Sequence, residues 1–203
     1  MEGKGLRARQ AEETHATLIT VARELFTDPG YAATSIEDII QRAGVARGAL
    51  YHHFSGKDAL FRAVYDSVQA EAVARVMAAA ARRAGEPWTA VRAGLSAFLD
   101  ACLEPTFRRV VIVDSIPVLH QAAFEAGVGR NELPMLRTIL TPLVTAHLPD
   151  DVDVEPLAYV TLGGLYGAAL FIATSPKPKV ARRQAESVLD AIMTGLRTSL
   201  GPS

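Results

Sequence analysis

The stretch from Thr34 to Leu60, TSIEDIIQRAGVARGALYHHFSGKDAL, constrains this chain more than any other, because it writes two short helices, a tight corner and the start of a third helix in order. Ser35 stands three residues before Asp38, the spacing at which a hydroxyl and a carboxylate cap each other's backbone N–H. Ile36, Ile39, Ile40 and Ala43 then repeat at helical spacing, so Ser35 to Ala43 reads as a short helix with one buried face. Gly44 follows, and a glycine there can take the left-handed conformation that ends a helix while Val45 packs back into the corner. From Ala46 to His53 only Leu50 is placed to point inward, with Phe54 closing the end. Arg47, Gly48, Ala49, Tyr51 and His52 are left on other faces, a set suited to a groove in DNA. The motif, about residues 35–54, reads as a helix-turn-helix.

The next helix start supports that reading. Ser55 and Asp58 repeat the capping spacing, so a helix carrying Leu60, Phe61, Val64 and Val68 is expected from about Gly56. Lys57 falls in its first turn, where the helix dipole disfavours a cation, so local stability gives no reason for the lysine. A bound phosphate does, since helix-end amides and an ammonium group both favour an oxyanion.

These residues resemble the TetR-type (AcrR-like) bacterial transcriptional regulators over roughly Glu12 to Asp66. The resemblance rests on Leu18, Ile19, Val21, Ala22, Leu25 and Phe26, then Gly30 and Tyr31, then Thr34, Ile36 and Ile39. Ala43, Gly44, Val45, Gly48, Leu50, Tyr51, Phe54, Lys57 and Leu60 complete it. One position departs: where such regulators usually carry threonine or serine after Gly48, this chain has Ala49, which removes a hydroxyl donor but can still touch a thymine methyl. The resemblance implies that Thr34, Tyr51, His52 and Lys57 clamp phosphates and that Arg47, Gly48 and Ala49 face base edges. The DNA-contacting set is thus Thr34, Ser35, Arg47, Gly48, Ala49, Tyr51, His52 and Lys57. The plainer alternatives are a residue ahead of a cap for Thr34 and half-buried packing for Tyr51. His52 and His53 project about a hundred degrees apart on a helix, with no further ligand at metal spacing nearby, so no metal is expected.

The rest of the sequence sets the frame. With 203 residues, 49% of them hydrophobic, the chain has ample material for a core, and its net charge of −1 argues against indiscriminate coating of nucleic acid. Positive charge is local: Lys4, Arg7 and Arg9 read as a terminal arm or a solvated end, and Arg42, Arg47 and Lys57 punctuate the motif. A single cysteine, Cys102, excludes an intrachain disulfide and fits a reducing cytoplasm, and between Leu99 and Leu103 it reads as packing. No signal peptide is expected from the first residues. Helical patterns run at about Lys57–Ala84, Pro87–Leu103, Pro105–Asp114, Pro117–Ala126, Leu133–His147, Glu155–Thr174 and Lys179–Leu200, punctuated by prolines at helix starts. The β-branched run Val110–Val113 is too short and isolated for a strand.

The expected fold is therefore all-α. A three-helix DNA-binding domain at residues 12–70 is joined through a long helix to a larger helical ligand-binding and dimerisation domain at 71–203. Residues 156–176 carry no charge and approach a membrane span in length. Gly163, Gly164 and Gly167, the polar residues among them and the acidic cluster Asp150, Asp151, Asp153 and Glu155 at the amino end favour instead a helix buried by its own domain and a partner subunit. The following helix sets Ala181, Ala185, Val188, Leu189, Ile192 and Leu196 opposite Arg182, Arg183, Glu186 and Arg197. Two such helices per subunit make a four-helix interface, as the resemblance also implies, with Leu162, Leu165, Ala169, Val188, Leu189, Ile192 and Leu196 as its expected members. A homodimer presents two docking helices to a palindromic operator.

The resemblance further implies a small-molecule pocket in the middle of the chain, for which Trp88, Phe98, Phe107, Asp114, His120, Phe124, Tyr159 and Tyr166 are the expected lining, with Arg137 nearby. Asp114 also reads as a helix cap and His120 as a satisfied core or surface histidine. No nucleophile elbow, phosphate-cradling glycine loop or zinc spacing is present, and no cofactor or enzymatic activity is expected. The competing readings are a dimeric ligand-binding protein without DNA recognition and, further off, a membrane-anchored helical protein.

Overall fold

The computed structural model describes residues 2–115, 118, 132–149 and 152–200, and those residues form helices and turns with no strand. Helix α1 (Glu2–Leu25) is followed by a kinked turn at Phe26–Gly30, in which Asp28 is extended (φ −152°, ψ 117°) and the Asp28–Pro29 bond is cis. Then come α2 (Ile36–Ala43), α3 (Arg47–His53), the long α4 (Lys57–Ala81) and α5 (Pro87–Ala101, with proline in its first turn). A π-type segment at Phe107–Val113 is numbered α6. Helices α7 (Glu132–His147), α8 (Val154–Thr174) and α9 (Pro178–Leu200) complete the order. The run at Val110–Val113 is helical, and the helix expected at Pro117–Ala126 lies outside the described residues.

Helices α1 to α3 and the start of α4 pack around Leu18, Ala22, Phe26, Ile39, Leu50, Leu60 and Phe61, all buried to 0% exposure. This core does not stop at a domain edge. Through Val64, Val68 and Ala72 on α4 it continues into Leu99, Cys102, Phe107, Val110 and Ile172 of the carboxy-terminal helices. A second cluster, around Val76, Leu136, Leu140, Leu143, Ala158 and Leu165, fills the far end of the bundle. Cys102 is buried, and desolvation pushes its thiol up to about 12, so it acts as a small core hydrophobe. Ion pairs brace the outside: Arg23 grips Glu71 with both nitrogens (2.6 and 2.7 Å), tying α1 to α4, and Arg42 ties α2 to Glu24 of α1 at 2.8 Å.

Three differences from the sequence reading follow from packing. Helix α1 begins at Glu2, so Lys4, Arg7 and Arg9 belong to a helix rather than to an extended arm. At the start of α4 the Ser55–Asp58 box is not made: Gly56 occupies the cap position with no side chain on the end amides, and Asp58 accepts the Tyr31 hydroxyl instead. The third concerns α8, which is apolar on every face. Its inner side, Ala158, Leu162, Leu165, Ala169 and Ile172, is buried in the protomer's own core, so Leu162, Leu165 and Ala169 are not available to a second subunit. The outer side carries Val160 (73% exposed), Gly163, Gly164, Gly167, Leu170 and Phe171, and α9, which packs on α8, exposes Val188 (60%) and Ile192 (54%); Leu189 and Leu196 are half-buried. Length and apolarity would let α8 cross a membrane, yet its inner face packs on α6, α7 and α9.

Candidate nucleic-acid interface

The corner that presents α3 is built from the residues that the pattern singled out. The Ser35 hydroxyl accepts the Asp38 N–H (3.1 Å), and the Asp38 carboxylate accepts the Ser35 N–H (2.8 Å) and hydroxyl (2.6 Å), a complete capping box. Those two bonds hold the Asp38 carboxyl below its ordinary range. Gly44 ends α2 at φ +65°, and the Val45 N–H reaches back to the Ile40 carbonyl at 3.3 Å. Leu50 is the one buried residue of α3 and seats it on the core, so the opposite face looks outward.

On that face Arg47, Gly48, Tyr51 and His52 are exposed and Ala49 is half-buried. The Arg47 guanidinium donates to the Glu37 carboxylate at 2.7 Å and lies 5.5 Å from the Tyr51 ring centroid. Tyr51 is therefore a surface ring rather than core packing. His15 of α1 stacks on Phe54 (5.0 Å between centroids) and meets His53 edge-on at 5.6 Å, with His52 a further 5.3 Å from His53. Partial burial, then the neighbouring His52 and His15, lower the His53 pKa. Nothing in the spacing of the sequence marks His15 as a member of this group, since its partners lie far along the chain.

Lys57 sits beside this face, with Nζ 4.0 Å from the Tyr31 ring centroid and the uncapped amides of α4 around it. Thr34 is different. It is 3% exposed, and its hydroxyl bonds the Gly30 carbonyl (2.8 Å) within reach of the Leu25 carbonyl, so it braces the turn before α2 and has no free donor for a phosphate.

Of the expected pocket residues, Phe98, Phe107 and Tyr166 line an apolar cavity of about 40 Å³ between α4, α5, α6, α7 and α8. Gln69, Val76, Val111, Ile112, Glu132, Met135 and Leu162 are among the other walls. Trp88 packs instead toward His147 (6.3 Å), Tyr159 is exposed, and Arg137 is paired with Glu155 (2.6 and 2.7 Å). Asp114 is committed to Arg109 and the Tyr31 backbone, each at 2.9 Å; His120 and Phe124 lie outside the described residues. Gln69 and Glu132 were missed. Gln69 donates to Glu132 and to the Tyr65 hydroxyl (3.0 Å), and Tyr166 donates to Glu132 (3.0 Å). A signal for Gln69 did exist: it is the polar residue amid the buried face Phe61, Val64, Val68, Ala72 and Val76 of α4.

This arrangement of a capped corner, an outward α3 and a continuous core has counterparts. Residues 18–64 match the family model for bacterial regulatory proteins of the tetR family, and residues 88–196 match the tetracyclin repressor-like carboxy-terminal domain. The chain belongs to the TetR family. A TetR-family transcriptional regulator from Pectobacterium atrosepticum superimposes with a TM-score of 0.82 at 32% identity, over 95% of this TetR chain and 98% of that one. The HTH-type transcriptional regulator AcrR of Shigella flexneri is 30% identical over 104 residues, 51% of this chain and 48% of AcrR. The HTH-type transcriptional regulator TtgR of Pseudomonas putida is 44% identical over 59 residues, 29% of this chain and 28% of TtgR. The chain thus spans about half or less of the length of these two curated relatives.

Proposed function

We propose that this TetR-family chain is a cytoplasmic transcriptional regulator whose homodimer binds a palindromic operator and lets go of it when an apolar small molecule enters the bundle. The observation that carries the reading is the face made by Arg47, Gly48, Ala49, Tyr51 and His52, turned to solvent beside the uncapped, lysine-bearing end of α4. Arg47, braced by Glu37 and Tyr51, suits the guanine edge in a major groove, and Ala49 suits a thymine methyl. Tyr51, His52 and Lys57 take the flanking phosphates; Ser35 stabilises α2 behind them.

The exposed apolar face of α8 and α9 supports the dimer. A patch holding Val160, Leu170, Phe171, Val188 and Ile192 is costly in water, and the glycines among them permit close helix contact. Two-fold pairing there sets two α3 helices for half-sites about 34–36 Å apart or a multiple of that. The cavity supports ligand control. At about 40 Å³ it is far smaller than the roughly 300–1,000 Å³ of ordinary ligand sites, so a bound effector has to push its walls apart. Those walls include α4 and α6, both of which reach the DNA-facing module.

Titration of the duplex flanking the protein's own gene, followed by fluorescence anisotropy over a range of salt, tests the reading. Saturable binding by a dimer, weakening steeply with salt and exceeding that of a scrambled duplex, is expected. Equal affinity for both duplexes, or none for either, would leave the ligand-binding protein without DNA recognition as the better account.

A further inference from the structure

We propose that Asp114, at the end of α6, is a positioning residue for the phosphate-gripping Lys57 and acts on it through Tyr31; the inference rests on the DNA-binding reading above. The Asp114 carboxylate, 13% exposed, accepts the Tyr31 backbone N–H and the Arg109 Nε–H through the same oxygen, each at 2.9 Å. Arg109 in turn fills the space beside Gly30. A β-carbon at residue 30 would collide with its guanidinium, and Gly30 holds φ at +109°, a conformation side chains rarely adopt. The carboxylate at the end of α6 therefore holds the backbone of residue 31 directly, and the Arg109 guanidinium of α6 packs against Gly30.

Tyr31 passes that placement on. Its ring meets Phe61 edge-on at 4.9 Å and Phe26 at 5.6 Å, and its hydroxyl donates to Asp58 at the head of α4. The Lys57 ammonium stands 4.0 Å from the centre of the same ring. A lysine head on four flexible carbons has no preferred direction of its own. Here the ring face supplies one, and the height of the ring is set by the bond from residue 31 to Asp114. The relay thus joins α6, a wall of the cavity, to a phosphate contact by three interactions, Asp114 to Tyr31 N–H, ring to ammonium and hydroxyl to Asp58.

The test has one arm without DNA and one with it. In the free protein the Tyr31 ring current displaces the Lys57 ε-methylene proton resonances upfield, an assignment checked by their loss in Lys57→Ala. Asp114→Ala is expected to return them toward the values of an exposed lysine, whereas Asp114→Asn, which can still accept the Tyr31 N–H, keeps most of the displacement. On the operator duplex, charge alone predicts that removing Asp114 tightens binding. The relay predicts the reverse, a loss of roughly three- to tenfold that shrinks to less than about twofold in a Lys57→Ala background. An unmoved lysine resonance, tighter binding by Asp114→Ala, or equal losses in both backgrounds overturns the proposal. A wild-type chain that binds no duplex sinks the DNA-binding reading, and the resonance arm still decides the relay. Should Asp114→Ala fail to fold, Arg109→Gln removes the ion pair that orients the carboxylate, and a smaller displacement of the same lysine resonance is expected.

Discussion

Truncating Leu50 to alanine isolates how the recognition surface is held. Helix α3 has seven residues and no side-chain cap at its amino end, and Leu50 is its only buried residue. A helix that short has no stability of its own in water, where about 12–15 residues are needed for even marginal helicity. Its position therefore comes chiefly from one fully buried leucine and the backbone bonds at its two ends, with the Arg47–Glu37 pair and the His53–His15 contact at the edge. Replacing a buried leucine by alanine costs about 3 kcal/mol in lost transfer energy and residual cavity. If the module melts with the rest of the chain, that cost lowers Tm by roughly 6–12 °C for a protein of this size. If α3 undocks locally, the same cost appears as a falling fraction of binding-competent protein, and the apparent Kd for the operator rises by up to about 100-fold. Thermal melts and anisotropy on one preparation distinguish the two, and Leu50→Met, which preserves volume, is expected to change either by less than about 1.5 kcal/mol. An alanine variant that melts within about a degree of wild type and binds within about twofold refutes the claim that Leu50 anchors the surface.

Other perturbations address separate parts of the molecule. Ile192→Glu places a charge on the exposed face of α9 at little cost to the protomer, about 0.5 kcal/mol or less; sedimentation is expected to show monomer, and operator affinity to drop more than about tenfold. Ser35→Ala removes the hydroxyl half of the α2 capping box, leaving the residue 35 N–H on the Asp38 carboxylate, and is expected to lower stability by about 1 kcal/mol in urea unfolding. His53 is held below its ordinary pKa of about 6.5, first by burial and then by His52 and His15, so the unfolded chain binds its proton more readily than the folded one. Its contribution to stability is complete above about pH 6.5 and is lost as pH falls toward the lowered folded value. Melting temperatures across that window are expected to fall less steeply in His53→Gln.

The parts of the structure that the amino-acid pattern makes legible are those decided within a few residues. The Ser35–Asp38 box, the left-handed Gly44 and the inward Leu50 are local geometry, and their spacing alone carries them. Where two local options compete, the pattern points to the wrong one. Asp58 stands at capping distance from Ser55 but accepts the hydroxyl of Tyr31, a residue from a different element. The same limit applies to Thr34, whose hydroxyl is taken up by carbonyls of the preceding turn once that turn folds back over it.

The sequence by itself determines that this chain is all helical, that it carries a helix-turn-helix near its amino end, and which face of α3 looks outward. Each of those follows from hydrophobic period and backbone preference, which act over one or two helical turns. Only the tertiary structure decides which side of α8 belongs to the protomer, because a helix apolar all round has no polar face to orient it. Only the tertiary structure brings His15 to Phe54, Gln69 to Glu132, and Asp114 to Tyr31. Those pairs are separated by long spans of chain and meet because packed helices bring them within hydrogen-bonding or stacking distance, which no local spacing encodes.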